Sequence, residues 1–237
     1  TRRRLDPEGG VAALGEAVDD VLGELSYTSG TTRVVHTLLL FNVAGVLRKV
    51  ASAPRFRFDA YKAESWDIEH VRSVAEYMPR TPARQKAWLG EARDYASTTV
   101  GAGEGLVAEI DALCEQGAPD ADRFQRVFDR IRALSCEAEA RVDDDEMSNL
   151  VLLDRETNRS YQNAVFPVKR RRIILEMDRR GRFVLPGTRD VFLKYYSPNA
   201  AQLLLWDDHD QRNYSEAMSE TLTDFFGPLA RAEEGAA

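Results

Sequence analysis

Three side chains with acid–base and metal-binding chemistry lie within four positions of one another, in the stretch SWDIEHVRS at residues 65–73. Asp67 and Glu69 carry carboxylates, and His70 is one of three histidines in 237 residues. A neutral histidine, with an ordinary pKa of about 6.5, can accept a proton from water at physiological pH. Carboxylate oxygens are the ligands that Mg²⁺ prefers. The stretch is therefore consistent with either a hydrolytic centre or a polar strand end.

A second polar stretch, NLVLLDRETN at residues 149–158, begins 79 residues after His70. Asn149 opens an apolar run, Asn158 lies nine residues later, and Lys169 lies eleven residues beyond that. Together with the Glu-His pair, this order resembles the HNH nuclease motif. In that motif a strand with an acid-His pair is followed by a strand that opens with Asn-Leu and by a helix that supplies Asn or His. The resemblance implies a ββα-metal finger.

The resemblance extends beyond the motif to the nuclease half of GmrSD-like modification-dependent restriction proteins, a group that includes SspE-type phage-defence nickases linked to DNA phosphorothioation. It rests on four segments: LLLFNVAGVLRK, RFRFDAYKAESWDIEHV, NLVLLDRETNRSYQNAVFPVKRRRI and FVLPGTRDVFLKYY. It covers most of residues 31–226 and is weakest over 73–145. Relatives carry an N-terminal nucleotide-hydrolysing sensor domain, which this chain lacks, so we expect an excised nuclease half that acts on duplex DNA.

The resemblance also implies roles for individual residues. His70 would be the general base, and Glu69 and Asn158 would bind Mg²⁺, with Mn²⁺ as a substitute and Asp67 as a reserve ligand. Asn149 would not bind the metal but would fix the loop that bears His70.

Contacts to DNA phosphates are implied around the following helix, where they would position a duplex without reading its sequence. The residues concerned are Arg159, Asn163, Lys169, Arg170, Arg171 and Arg172. Residues 169–182 hold seven Lys/Arg against two acids, which is typical of either a phosphate-binding patch or a solvated helix face.

Three features depart from the family pattern. Neighbouring residues of a regular strand point to opposite faces, so Glu69 and His70 share a metal only if the strand ends or bulges there, and we expect a strand end. Relatives have a proline in EHxxP where this chain reads EHVRS. The 79-residue separation is unusually long, although lengthening a loop costs little free energy.

Asp154 and Thr157 stand where many HNH proteins have zinc-binding cysteines, so no structural zinc is expected.

The elements that must position these residues are mostly helical. Apolar periodicity predicts helices over 8–27, 31–51, 82–98, 103–116, 120–141, 166–180 and 207–226. The first two should pack as a pair, Gly181 should end the sixth, and Gly227-Pro228 should end the last. Extended segments are predicted in RFRFDAY, in WDIEHV and over 148–154, although the length of the last run also permits a helical turn.

The predicted fold is mainly α: a helical domain that encloses a small ββα-metal (HNH) finger with a long helical insertion. A helical pair over 1–60 leads into a nuclease domain over 61–230. The ββα core comes from 65–72 and 148–180, the insertion from 73–145, and C-terminal helices from 186–226.

Charge is distributed unevenly along the chain. The formal net charge is −7, but residues 101–146 hold thirteen Asp/Glu against five Arg, so the rest sums to +1. This acidic part of the insertion is hypothesised to repel DNA until the sensor half repositions it. No apolar run reaches the roughly 20 residues of a membrane span or forms a signal peptide, and Cys114 and Cys136 lack metal-ligand spacing, so a cytoplasmic setting is expected.

Two other functional classes remain open. The chain could be a non-catalytic helical DNA-binding or protein-interaction module with a decayed nuclease motif, or an RNase with the same finger. Elsewhere, the aspartates of WDDHDQRNY around His209 are expected to cap a helix rather than bind metal, and Asn42 is expected to be a buried helix-packing residue.

Overall fold

A computed structural model describes residues 7–48, 55–72, 78–98, 104–115, 119–134, 145–157, 165–197 and 206–235. Its helices are α1 (Pro7–Glu24), α2 (Thr31–Arg48), α3 (Phe58–Ala63), α4 (Pro82–Thr98), α5 (Glu104–Cys114), α6 (Ala121–Leu134), α7 (Phe166–Arg180), α8 (Pro186–Phe192) and α9 (Asp208–Gly235). Its strands are β1 (Trp66–His70) and β2 (Leu150–Asp154). The prediction of a mainly α protein with a small extended element on either side of a helical insertion is confirmed.

The two strands pair antiparallel, with Ile68 opposite Leu152 and His70 opposite Leu150. Every residue of β2 is buried, as the apolar run predicts. Side chains from two helices cover the remaining carbonyl groups of β2: Thr188 donates to Leu152 O at 2.7 Å, and Tyr214 donates to Leu150 O at 3.1 Å. Strand β2 is therefore held inside the helical domain, whereas β1, in which only Ile68 is buried, lies nearer to the surface.

The C-terminal helix α9 organises the first two helices. It packs on both α1 and α2, more extensively than those helices pack on each other. The expectation that α1 and α2 pack as a pair is therefore wrong, since each packs more extensively on α9 than on the other. The reason is the apolar stripe Tyr214, Met218 and Leu222, at four-residue spacing and buried along α9, which gives both helices a common partner.

The insertion is part of the same core. Helices α4, α5 and α6 pack on one another, and α4 also contacts α7. The predicted stripe of α6 is buried, and Trp88 of α4 packs edge-on against Phe124, with ring centroids 5.4 Å apart. The buried apolar side chains of the insertion belong to the hydrophobic cluster that also contains the residues of β2.

Two element boundaries differ from the sequence expectations. RFRFDAY is not extended, because Phe58–Ala63 forms α3; two Phe–charge alternations are too short to outweigh the helix-favouring Ala and Lys that follow. Helix α9 continues through Gly227 and Pro228 to Gly235. A proline within a helix removes its own N–H bond but does not end every helix that contains it. Gly181 ends α7 with a φ of +59°, as predicted.

Asn42 joins α2 to α8. Its side chain donates to Leu38 O and accepts from the backbone N–H of Gly187, each at 2.7 Å, which confirms the expected packing role. The approach is close enough that a Cβ atom at Gly187 would lie 2.8 Å from the Phe41 ring.

Candidate active site at the two-stranded sheet

His70 lies at the end of β1 in a largely closed environment. Its Nε2 is 2.9 Å from Oδ1 of Asp145, and its ring centroid is 4.5 Å from that of Tyr27. The side chain is 18% exposed. Burial lowers the pKa of His70 below its ordinary value, an effect that the hydrogen bond to Asp145 partly opposes. The imidazole is therefore neutral at neutral pH, which is the form that can act as a base.

Neither Asp145 nor Tyr27 is predicted from the sequence, because Tyr27 lies far from the motif and Asp145 belongs to an acidic run that is interpreted as part of the insertion. Tyr27 belongs to the loop between α1 and α2, and its backbone N–H donates to Asp145 O at 2.7 Å. Ser26 and Glu146 form an isolated β-bridge beside this contact. The only available signal was the position of Asp145, four residues before Asn149 at the end of the acidic run.

Glu69 pairs with Lys169 from the first turn of α7. The Lys169 ammonium lies 2.7 Å from Glu69 Oε1 and donates to the backbone carbonyl of His70 at 2.6 Å. The Lys169 side chain is 1% exposed. This placement corrects the expectation that Lys169 contacts DNA, because its charge faces the sheet and has no access to solvent.

Asn149 is fully buried ahead of β2 and bonds the chain just after His70. Its Oδ1 accepts from the N–H of Arg72 at 2.8 Å, and its Nδ2 donates to Arg72 O at 3.0 Å. A backbone bond from Val71 N–H to Asn149 O, 2.8 Å long, completes the contact. Asn149 therefore holds the exit from β1 with both ends of its amide.

Regular pairing continues to the last residue of β1, with Glu69 opposite Val151 and His70 opposite Leu150. The strand does end at His70, but its neighbouring side chains alternate and have separate partners, Lys169 for Glu69 and Asp145 for His70. Asp67, the reserve ligand, is engaged by the Arg155 guanidinium at 3.2–3.3 Å.

The motif asparagine Asn158 and the predicted DNA contacts Arg159 and Asn163 lie outside the described residues. Within the described ranges no group of three or more His, Cys, Asp or Glu side chains is arranged to hold a metal ion. Mg²⁺ needs only one or two protein carboxylates and keeps several waters, so the chemistry of Glu69 together with an amide oxygen fits this ion. Binding would require Glu69 to exchange Lys169 for the metal.

Two other basic residues of α7 have acidic partners on α4. Arg171 pairs with Asp94 at 3.1 Å, and Arg172 pairs with Glu91. Burial raises the pKa of Glu91, an effect that Arg172 opposes. Partial burial lowers the pKa of Arg170, whose Nε is buried without a hydrogen-bond partner among the described residues. The basic run is thus partly neutralised by the insertion.

Asp154, at one of the zinc-cysteine positions, and Asp207, close to His209, serve as caps. Asp154 accepts the N–H of Thr157 at 2.9 Å and lies 3.5 Å from Arg182. Asp207 accepts the N–H groups of His209 and Asp210 at the start of α9, which confirms the predicted capping.

No helix in the described part of the chain has the length and apolar character needed to cross a membrane. Comparison with known proteins gives no match: no family model fits the chain, and no curated protein or solved structure is significantly similar to it.

Proposed function

We propose that this chain is a metal-dependent HNH endonuclease domain that nicks or cleaves duplex DNA in prokaryotic anti-phage, modification-dependent restriction. One observation carries the proposal: Asn149 lies directly beside the end of β1 that bears Glu69 and His70, although 79 residues separate His70 from Asn149 in sequence. The association supports the proposal because it brings three polar residues of the motif to one end of the sheet.

In the proposed mechanism His70 accepts a proton from the attacking water, which its neutral state permits. Asn149 keeps the exit from β1 in place, so that the imidazole does not shift during the reaction. Mg²⁺, or Mn²⁺ in its place, would be held by Glu69 and Asn158 and would neutralise charge that develops on the phosphate. Lys169 retains Glu69 in position when the metal is absent.

The proposed partners are duplex DNA and an N-terminal nucleotide-hydrolysing domain, in the cytoplasm. With Lys169 buried, phosphate contacts fall to Arg159, Asn163 and Arg170, together with Arg171 and Arg172 once DNA competes with the acids of α4. Phosphate is a strong competitor for arginine because it accepts two parallel hydrogen bonds.

One observation favours a second candidate, a non-catalytic interaction module. Both candidate carboxylate ligands of β1 are already paired with cations, Glu69 with Lys169 and Asp67 with Arg155. In a decayed site these pairs would be purely structural.

Conversion of supercoiled plasmid to open-circle or linear DNA, with Mg²⁺, Mn²⁺ or EDTA, tests the proposal. We expect metal-dependent conversion by the wild type and its loss in Asn158→Ala, with little degradation of single-stranded RNA. Equal products with EDTA would contradict the metal requirement, and preferential RNA degradation would favour the RNase. A folded wild-type protein that binds DNA without cutting it, even when joined to its sensor domain, would favour the interaction module.

A further inference from the structure

We infer that Asp145 is a positioning residue for His70: it fixes the imidazole in the tautomer that carries its proton on Nε2 and leaves Nδ1 as the basic nitrogen. This inference deepens the proposed function and rests on it, because it concerns which atom of His70 would take the proton. Asp145 is not among the residues that the HNH resemblance implies.

The tautomer follows from the chemistry of the contact. A carboxylate accepts hydrogen bonds and has no proton to give, so the 2.9 Å contact with Asp145 Oδ1 requires Nε2 to be the donor. A neutral imidazole has a single ring proton, and Nδ1 must then carry the lone pair. Among the described residues Nδ1 of His70 has no hydrogen-bond partner. It is the nitrogen left available to a substrate water.

Asp145 is itself held firmly at its backbone. The N–H of Tyr27 donates to its carbonyl at 2.7 Å, and the adjacent Glu146 bridges to Ser26. On the other side, the N–H of Asn149 donates to Glu146 O at 2.9 Å. Asp145 thus occupies a fixed point between the α1–α2 loop and the start of β2.

The other groups around His70 do not determine its tautomer. Lys169 and Glu69 act on its charge, but the Lys169 ammonium bonds the backbone carbonyl of His70 and the Glu69 carboxylate bonds Lys169. Tyr27 packs its ring against the imidazole, which limits rotation about χ2. Asp145 is therefore the group that hydrogen-bonds the ring in the described part of the molecule.

A purely structural role for Asp145 would be small. Its side chain is 38% exposed, and a single hydrogen bond to a neutral partner at such a position contributes little to stability. Removing the carboxylate should therefore leave the protein folded while releasing the imidazole, and the two effects can be measured separately.

The experiment uses the 237-residue chain with ¹⁵N-labelled histidine, and long-range ¹H–¹⁵N NMR identifies the His70 ring signals by their absence in His70→Ala. In the wild type we expect a slowly exchanging proton on Nε2 and an unprotonated Nδ1. In Asp145→Ala the Nε2 proton should exchange rapidly and the signal should broaden or vanish. Asp145→Glu, which keeps a carboxylate, should restore it at least partly. Asp111→Ala removes a comparably exposed, Arg-paired carboxylate and is the matched control that should leave the His70 signals unchanged.

Plasmid nicking, measured for the wild type and the three aspartate variants, should fall about 10- to 100-fold in Asp145→Ala, recover partly in Asp145→Glu and stay unchanged in Asp111→Ala. A wild-type proton on Nδ1, or an Nε2 proton unaffected by Asp145→Ala, would overturn the inference whatever the activity. An absence of nicking by folded wild type would count against the proposed nuclease instead, and the NMR result would still decide the assignment of Asp145.

Discussion

The ammonium nitrogen of Lys169 lies 2.7 Å from a carboxylate oxygen of Glu69, in a site where the lysine side chain is almost wholly buried. The pair joins the first turn of α7 to the penultimate residue of β1. It thereby connects the helix and the strand of the proposed ββα unit through a charge pair whose lysine is buried and whose glutamate is 15% exposed.

Breaking this pair from one side should be costly. Glu69→Gln removes the negative charge that pairs with the buried Lys169 ammonium, and losing one charge of a buried pair costs about 3–5 kcal/mol. Replacing both residues, as Glu69→Gln with Lys169→Met, should cost much less than the sum of the two single changes. The free energy of unfolding in urea, measured for all four proteins, gives the coupling. Additive single-variant losses would show that the pair does not act as a unit.

Much of this arrangement could be predicted from the sequence, and its charge pairing could not. The apolar run before Asp154 favours a buried strand over a helical turn, and the alternating Trp66 and Ile68 predict the extended segment that carries Glu69. Whether a lysine in a basic run faces DNA or the core depends on which side of α7 meets the sheet. Lys169 falls on the inner side, since it precedes by four residues the buried Ile173.

Asn149→Ala should destabilise the protein by about 1–3 kcal/mol, because it leaves the N–H and carbonyl of Arg72 buried without the amide that bonds them. Asn213→Ala is the control, since the Nδ2 of Asn213 is buried without a partner among the described residues. Thermal or urea unfolding measures both variants. A smaller loss for Asn149→Ala than for Asn213→Ala would contradict the bracing role.

Gly187→Ala should destabilise the junction of α2 and α8 by about 1–3 kcal/mol, because the added Cβ would lie 2.8 Å from Phe41 Cε1 and 3.0 Å from Asn42 Oδ1. Gly90→Ala in α4 meets nothing within 4 Å and should stabilise its helix by up to about 1 kcal/mol. Urea midpoints of the two variants should therefore move in opposite directions. An unchanged midpoint for Gly187→Ala would show that the junction can relax.

The pH dependence of nicking should follow His70. Because burial, partly opposed by Asp145, lowers its pKa, the neutral base persists to more acidic pH than in a free histidine. The rate should be level at neutral pH and fall only below about pH 6.5. The same shift implies that stability falls as acid forces a proton onto the buried ring. A half-maximal rate above pH 7 would contradict the account.

The hypothesis that the acidic insertion repels DNA cannot be tested by deleting residues 101–146, because the deletion would unfold the core. Residues such as Leu106, Ile110 and Phe124 belong to the core, and Asp145 contacts His70. The charge count alone does not predict that residues 101–146 contribute to the core. The buried apolar residues of α5 and α6 alternate along the helices with the exposed acids.

Neutralising exposed acids tests the repulsion hypothesis instead. The triple variant Glu115→Gln, Asp122→Asn, Asp129→Asn should raise DNA affinity at low salt, and the gain should shrink as salt is added. The triple variant Glu16→Gln, Asp19→Asn, Asp20→Asn makes the same charge change on α1 and is the control. Fluorescence anisotropy with a labelled duplex measures both. Equal gains in DNA affinity from the two triple variants would contradict a specific role of the insertion, because net charge alone would then explain the effect.

The central claim, that the polar cluster at the end of β1 is a hydrolytic site, is tested most directly by comparing His70→Ala with His209→Ala in plasmid nicking with Mg²⁺. His209 is an exposed histidine on α9, so its replacement controls for loss of a histidine without touching the sheet. With folding verified by circular dichroism, the account predicts that nicking is lost in His70→Ala and unchanged in His209→Ala. Equal nicking by wild type and His70→Ala would contradict it.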